Sequence, residues 1–520
     1  MSDTPPTSPA SPDPDAAKRQ RDKVAQLLAR APTLASGSVT QDNGQVLGYG
    51  VRAAFVPVLA GGVDAQRGEP QAAVFTVAYL ADTGPADSGS AGADAARKPA
   101  PLRPVCFAFN GGPGSSSIWL HLGALGPKRV PVNDDGTLAP APYAVVDNPL
   151  TWLAHFDLVF IDPPHTGWSV SASDAARKTL LSVDGDVDAL AEVMRGWLAA
   201  NRRFGAPLYL CGESYGTTRG AALADKLLDQ GLGLTGLILV SCAMDLQSLV
   251  FSPKNDLPYA LFLPAFAATA QYHGLLKGAL GASGEAARSA AEAFVEEDYL
   301  SALQAGARLE PRRRLRIERR MSELTGLSPA VLAEHNLRIS DASFFVEALR
   351  SRGLLVGRLD ARATAPMAAR RERAMAFDPG IEGVAIPYTA AAMAYHAALG
   401  LPTESRYEVL SMDAHKAWRW QRGSAESGEG PVGYTSTSDD LARAMRRNPH
   451  MKVLVASGRY DLGTPYSASD WSLAQLDAPA EVLQRIVHRY YDAGHMMYTR
   501  SADLTQLKTD LAGWLDGAQV

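Results

Sequence analysis

At 520 residues, with 46% hydrophobic and 20% charged side chains, the chain has the composition of a folded globular protein. It is long enough for one large elaborated domain or for a core with a substantial insertion. Its formal charge of −5 is small for that length, so neither nucleic acid nor an anionic membrane is indicated as the principal partner.

Residues 1–15 are rich in Pro, Ser and Thr and lack an apolar core, which predicts a disordered tail rather than a secretory signal. No later run is long enough to cross a bilayer, and the three cysteines, Cys106, Cys211 and Cys242, are too sparse for a disulfide framework. The expectation is a cytoplasmic protein in a reducing compartment. Residues 16–28, with Val24, Leu27 and Leu28, predict a short peripheral helix. Residues 45–59 and 72–80, rich in Val, Phe and Tyr, predict antiparallel strands at a sheet edge. Residues 82–98, rich in Gly, Ala, Ser and Asp, predict a loop. Then come compact apolar runs at 105–109, 158–161, 208–211, 237–240 and 453–456, of the kind buried on both faces of a parallel sheet. Val187, Leu190, Ala191, Met194 and Leu198 recur between two of them at helical spacing. Strands alternating with helices predict an α/β protein: a central, mostly parallel sheet with antiparallel N-terminal edge strands.

Between the last two of those runs the strand pattern stops. Helical stretches at 264–276, 286–303, 311–324 and 329–335, the last behind an N-cap at Ser328, predict a largely helical cap insertion. The expected organisation is a tail (1–15), a first part of the core (16–245), a cap (246–445) and a second part of the core (446–520). The run Arg312-Arg313-Arg314, with Arg316, Arg319 and Arg320, reads as a solvated helix face or as an anion site. Residues 423–433 read as a loop. Residues 435–438 start a helix that returns to the core, where an apolar run at 485–491 and a closing helix at 504–514 follow.

Gly212-Glu213-Ser214-Tyr215-Gly216 has the form Gly-x-Ser-x-Gly between a strand and a helix. That is what a nucleophile elbow requires, although an ordinary strand-to-helix turn reads the same way. A serine hydroxyl needs a base and a group that orients the base. Of ten histidines, His495 alone lies in a loop directly after the final core strand. Asp461 falls just beyond the carboxyl end of the run at 453–456, where sites of parallel sheets lie. Asp492 competes with it, three residues before His495. Two backbone N–H donors would be needed for a tetrahedral intermediate. One is that of Tyr215, and the other comes from the Gly-rich loop at 110–117. That loop lacks the Lys of a phosphate-binding loop. Cys211, beside the elbow, is either a reactive thiol or a small core residue.

Together these motifs resemble the serine carboxypeptidase family of α/β-hydrolases, in a bacterial-type member. The residues that carry the resemblance are Asn110-Gly-Gly-Pro-Gly-Ser-Ser-Ser117, Asn148-Pro149-Leu150-Thr151-Trp152 with Asp162-Pro163-Pro164 and Gly167-Trp168-Ser169, Gly212 to Gly216, Gly458-Arg459-Tyr460-Asp461, and Gly494-His495-Met496. The resemblance implies an α/β-hydrolase fold and a cofactor- and metal-free serine peptidase that removes residues from peptide C-termini. Ser214 would be nucleophile, His495 base and Asp461 its orienter. Backbone donors would be Gly112 and Tyr215, and Asn110 and Glu213 would bind the substrate's terminal carboxylate. A Glu in that role must be protonated. The family's yeast-type members carry a second Glu before a Leu-Gly-Pro, where this chain has Ala124. Weaker terminal-carboxylate selection, or a different pH dependence, is therefore expected. Ser115 stands where a disulfide Cys is common. An esterase or acyltransferase with the same triad, and a catalytically idle peptide-binding protein, are the alternatives. Nothing in the sequence fixes an oligomeric state.

Overall fold

The computed structural model describes residues 14–61, 63, 66–82, 102–370, 372–423 and 433–517. Helix α1 (Pro14–Ala29) takes in the last two residues of the expected tail, the rest of which lies outside the described residues. Three antiparallel strands follow: β1 (Thr33–Thr40), β2 (Val46–Leu59) and β3 (Pro70–Ala81). The expected loops at 82–98 and 423–433 fall almost wholly outside the described residues. Next come β4 (Val105–Phe109), β5 (Asp157–Ile161), α2 (Val183–Ala200), β6 (Leu208–Glu213), α3 (Tyr215–Asp229) and β7 (Leu234–Val240).

After β7 the chain is helical for a long stretch, including α4 (Leu263–Tyr272), α5 (Gly284–Phe294) and α6 (Pro311–Thr325). A small hairpin, β8 (Leu354–Val356) with β9 (Thr364–Pro366), precedes α7 (Pro379–Ala398). The core resumes with α8 (Ser438–Arg447), β10 (Lys452–Gly458), β11 (Ile486–Tyr491) and α9 (Ser501–Asp516). The strand order is β1-β2-β3-β5-β4-β6-β7-β10-β11, with β5 to β11 parallel and the N-terminal strands antiparallel. This is the α/β-hydrolase fold.

The parallel strands were readable because both of their faces are covered. Along β4, Val105, Phe107 and Phe109 turn to a layer made by α2, α3 and α8, whereas Cys106 and Ala108 turn to the layer that holds α9. That is the period-2 alternation of a pleated strand with apolar neighbours on each side. All three cysteines are free and buried, and burial pushes the Cys211 thiol far above its ordinary range, so it is a core residue and not a reactive one.

The insertion is not a single body. Its first half has a core of its own, in which Phe262, Phe266, Ile317, Met321 and Phe344 pack together with Tyr460 and Leu462, the two neighbours of Asp461. Helix α7 instead packs Val384, Tyr388, Ala391 and Tyr395 into the core of the sheet. A helix that is apolar nearly all round is buried on most of its sides, which is why α7 sits against the sheet. The Arg-rich run lies on α6, where Arg312, Arg316 and Arg319 are exposed, Arg320 pairs with Glu323 and Arg314 pairs with the buried Glu318. Among the described residues no helix is long and apolar enough to cross a membrane.

Candidate active site

The elbow is built by glycines that have no room for a side chain. A Cβ at Gly212 would lie 2.2 Å from the Gly216 carbonyl oxygen. One at Gly111 would lie 2.4 Å from the Tyr215 nitrogen and 2.7 Å from the Glu213 oxygen. The Gly-rich loop after β4 is thereby drawn against the turn between β6 and α3. Ser214 itself has φ 60° and ψ −128°, a strained conformation for a residue with a side chain, of the kind that collects at functional sites. Its backbone N–H is tied to the Val240 carbonyl at 2.9 Å.

Beneath the Gly-rich loop, the buried Arg219 of α3 donates to the Asn110 carbonyl at 2.6 Å and pairs with Asp186 at 2.6 Å. Asp162 accepts from both the backbone N–H and the hydroxyl of Ser117, at 2.9 and 2.8 Å. Asn148 donates to the carbonyls of Ala124 and Gly126, and Thr151 to that of Leu125. The second motif block thus braces the segment on which the loop rests.

At the ends of β10 and β11, His495 Nδ1 lies 2.7 Å from Asp461 Oδ2. The other carboxylate oxygen, Oδ1, accepts the backbone N–H groups of Gly463 and Thr464 at 2.7 and 3.0 Å. Thr464 Oγ1 donates to Oδ2 at 2.7 Å. Burial opposes ionisation of Asp461, but the imidazole and these hydrogen bonds outweigh it and hold the carboxyl below its ordinary range. Burial likewise disfavours an imidazolium at His495, yet the Asp461 charge and hydrogen bond, with Glu213 in support, raise it above the ordinary value. Asp492 faces away: it is 56% exposed and paired with Arg459 at 2.7 Å. It therefore does not share the site.

Two connected cavities meet here. The smaller, of about 300 Å³, is lined by Asn110, Gly111, Gly112, Glu213, Ser214 and His495, with Trp119, Leu359, Ile381, Leu410, Met412 and Met496 as its apolar wall. The larger, of about 710 Å³, runs past Gly112, Ser214 and Tyr215 to Leu246, Leu249, Val250 and Trp420. A third cavity, of about 690 Å³ between α1 and residues 402–414, shares Leu410 and Met412 with the smaller one but contains none of the residues singled out in the sequence. Among the described residues Ser214 Oγ and His495 Nε2 have no hydrogen-bond partner, as is common for catalytic pairs that tighten only around substrate. All seven residues singled out in the sequence line the two cavities, except Asp461, which lies directly behind His495.

Glu213 is 3% exposed and makes two side-chain contacts. Asn110 Nδ2 donates to Oε1 at 2.9 Å, while the Tyr498 hydroxyl donates to Oε2 at 2.6 Å. Asn110 is itself fixed, because its Oδ1 accepts from the Leu120 N–H at 3.1 Å. Tyr498 is a site residue that the motifs did not reveal. Ala124, at the position of the yeast-type members' second Glu, is fully buried, and Glu213 has the Tyr498 phenol as its second hydrogen-bond partner. No pattern in the sequence marks a Tyr three residues after the base. Burial, only partly offset by His495 and by these hydrogen bonds, pushes Glu213 up to about 7.

A pH-dependent stability follows. The folded protein holds this proton up to about 7, whereas the unfolded chain releases it near the ordinary 4.5. Glu213 therefore supports the fold fully below 4.5, and that support is lost as pH rises to about 7, by about 3 kcal/mol in all. Urea midpoints across that window are expected to fall in the wild type relative to Glu213→Gln. Parallel curves would contradict the buried acid.

The sequence model of one family, described as serine carboxypeptidase, matches residues 94–248, the stretch that holds the Gly-rich loop and the elbow. The match takes in the Gly-rich loop, the 148–169 block and the elbow, three of the five motif groups that carry the resemblance, and the chain is a hydrolase of the α/β-hydrolase class. No curated protein matches. Solved structures that match include proline iminopeptidase from Mycobacterium smegmatis, at 13% identity and TM-score 0.34, covering 93% of this chain and 98% of that one. An acetylester hydrolase from Corynebacterium glutamicum matches at 10% identity and TM-score 0.35, covering 94% and 96%. The peroxisomal alpha-beta-hydrolase Lpx1 from Saccharomyces cerevisiae matches at 8% and 0.35, covering 91% of each chain. Likenesses this loose say nothing of substrate.

Proposed function

We propose that this hydrolase is a serine carboxypeptidase acting on peptides through an acyl-enzyme on Ser214. The observation that carries the reading is the pairing of buried Asn110 with buried Glu213 in the cavity that also contains Ser214 and His495. A general esterase has no use for an acid held neutral beside its nucleophile. A peptide's terminal carboxylate needs such a donor, and a Glu with its proton retained to about 7 supplies one.

In this reading His495 Nε2 takes the Ser214 proton as Oγ attacks the carbonyl carbon of the last peptide bond. The backbone N–H groups of Gly112 and Tyr215 receive the oxyanion, and the imidazolium then protonates the leaving amine. Water repeats the sequence to free the acyl group. Asp461 holds Nδ1–H throughout, which keeps Nε2 available as the base.

Incubation of a peptide library with the protein, followed by mass spectrometry, tests the proposal. Loss of single residues from C-termini is expected. Hydrolysis of esters with every peptide left intact would overturn the proposal in favour of an esterase or acyltransferase. A pH dependence accompanies it. As pH rises through about 7, Glu213 ionises and repels a terminal carboxylate, so the ratio of kcat/KM for a free-acid peptide over its C-terminal amide is expected to fall. In Glu213→Gln the ratio is expected to stay level across that range.

A further inference from the structure

The loop after β8 brings one more group to the site. Its backbone is fastened on two sides. The Asp378 carboxylate accepts the N–H groups of Arg358, Leu359 and Gly380, at 2.7, 3.2 and 2.8 Å. On the other side, Leu462 N–H donates to the Arg358 carbonyl at 3.0 Å and His495 N–H to the Leu359 carbonyl at 2.6 Å. The insertion is thus bonded directly to the loop of the acid and the loop of the base.

Arg358 lines both cavities, and among the described residues it is the one Lys or Arg in the lining of either. Its guanidinium carbon sits over the acid loop, 3.5 Å from where a Cβ on Gly463 would be. The neighbouring arginines are held elsewhere, Arg362 by Asp360 and Arg459 by Asp492. Among the described residues the exposed Arg358 makes no ion pair; Asp341, which lines the larger cavity with it, interacts with its charge without pairing. Long cationic side chains near a protein surface usually find solvent or a carboxylate. This one has a braced backbone and lines both cavities beside Ser214.

We propose that the Arg358 guanidinium binds a carboxylate of the substrate, and so is a specificity-determining residue supplied by the insertion. Guanidinium and carboxylate match as planar, bidentate partners, and the arginine charge does not titrate near neutrality. It would hold an anionic group at pH values where Glu213 has lost its proton, in a chain whose second carboxyl position is Ala124. The proposal rests on the hydrolase reading of the site and deepens its peptidase form.

The carboxylate could be the peptide's terminus or an acidic side chain on the acyl side, and paired substrates separate these. One pair is benzoylglycyl-phenylalanine and its C-terminal amide. The other is benzoylglutamyl-phenylalaninamide and benzoylglutaminyl-phenylalaninamide. For each pair the ratio of kcat/KM, anionic over neutral, is measured at pH 8 in wild type, Arg358→Gln and Arg358→Lys. A roughly tenfold fall of the first ratio in Arg358→Gln, carried by KM and partly restored in Arg358→Lys, supports binding of the terminus. The same fall in the second ratio supports binding of a side chain. Both ratios unchanged overturn the proposal, as does an equal loss on anionic and neutral substrates, which would mark a structural role. If the wild type cleaves no peptide, the peptidase reading fails by itself. A carboxylate-bearing ester and its neutral analogue then judge Arg358 by the same ratio.

Discussion

Ser214→Ala is expected to lower turnover by roughly 10⁴- to 10⁶-fold and to abolish covalent labelling by an active-serine fluorophosphonate. The fold should be indifferent to the change. Ser214 Oγ bonds to no described residue, and an alanine carries the same Cβ through the same strained φ of 60°. The strain is imposed from outside the residue, by the Val240 carbonyl on its N–H and by the glycines pressed against it. Stability is therefore expected within about 0.5 kcal/mol of wild type, read from thermal melts. Labelling that persists in the variant would overturn the assignment of Ser214. A variant that loses both labelling and its native melt would show that the hydroxyl has a structural role the geometry does not reveal.

What was legible in the sequence was whatever a local pattern encodes. The parallel strands announce themselves because residues such as Val105 to Phe109 must be apolar on both faces. Strand β1 does not, since Ala35, Ser36, Gly37 and Ser38 alternate between partly and fully exposed positions and carry little apolar signal. Ser214, His495 and Asp461 could be picked out because each stands at a fixed offset from a strand end, and Asn110 and Glu213 only because their motifs resemble those of a known family. Arg358, Thr464 and Tyr498 have no such signature. Each acquires its contacts only when distant loops converge, Arg358 through Asp378 and Leu462, Tyr498 through a carboxylate 285 residues away in sequence. Choosing between Asp461 and Asp492 also needed the tertiary structure. The proximity of Asp492 to His495 in sequence is countered by Arg459, which draws that carboxylate outward.

The second large effect is expected from Asp461→Asn, and its cause is the direction in which the new amide must point. Oδ1 of Asp461 accepts two backbone N–H groups, from Gly463 and Thr464, so the amide oxygen of an asparagine has to remain there. The amide nitrogen then takes the place of Oδ2 and presents N–H, not a lone pair, to His495 Nδ1 at 2.7 Å. To accept it, the imidazole must move its proton to Nε2, the atom that has to receive the Ser214 proton. The ring stays in position in the wrong tautomer. The Thr464 hydroxyl, which donates to Oδ2, must also turn round to accept. A loss of about 10⁴-fold in kcat is expected, with fluorophosphonate labelling of Ser214 slowed in parallel and the fold retained. The control is Asp492→Asn, which severs only the exposed pair with Arg459 and is expected to change kcat less than about twofold. If Asp492→Asn carried the large loss and Asp461→Asn the small one, the orienting role would pass to the other carboxylate.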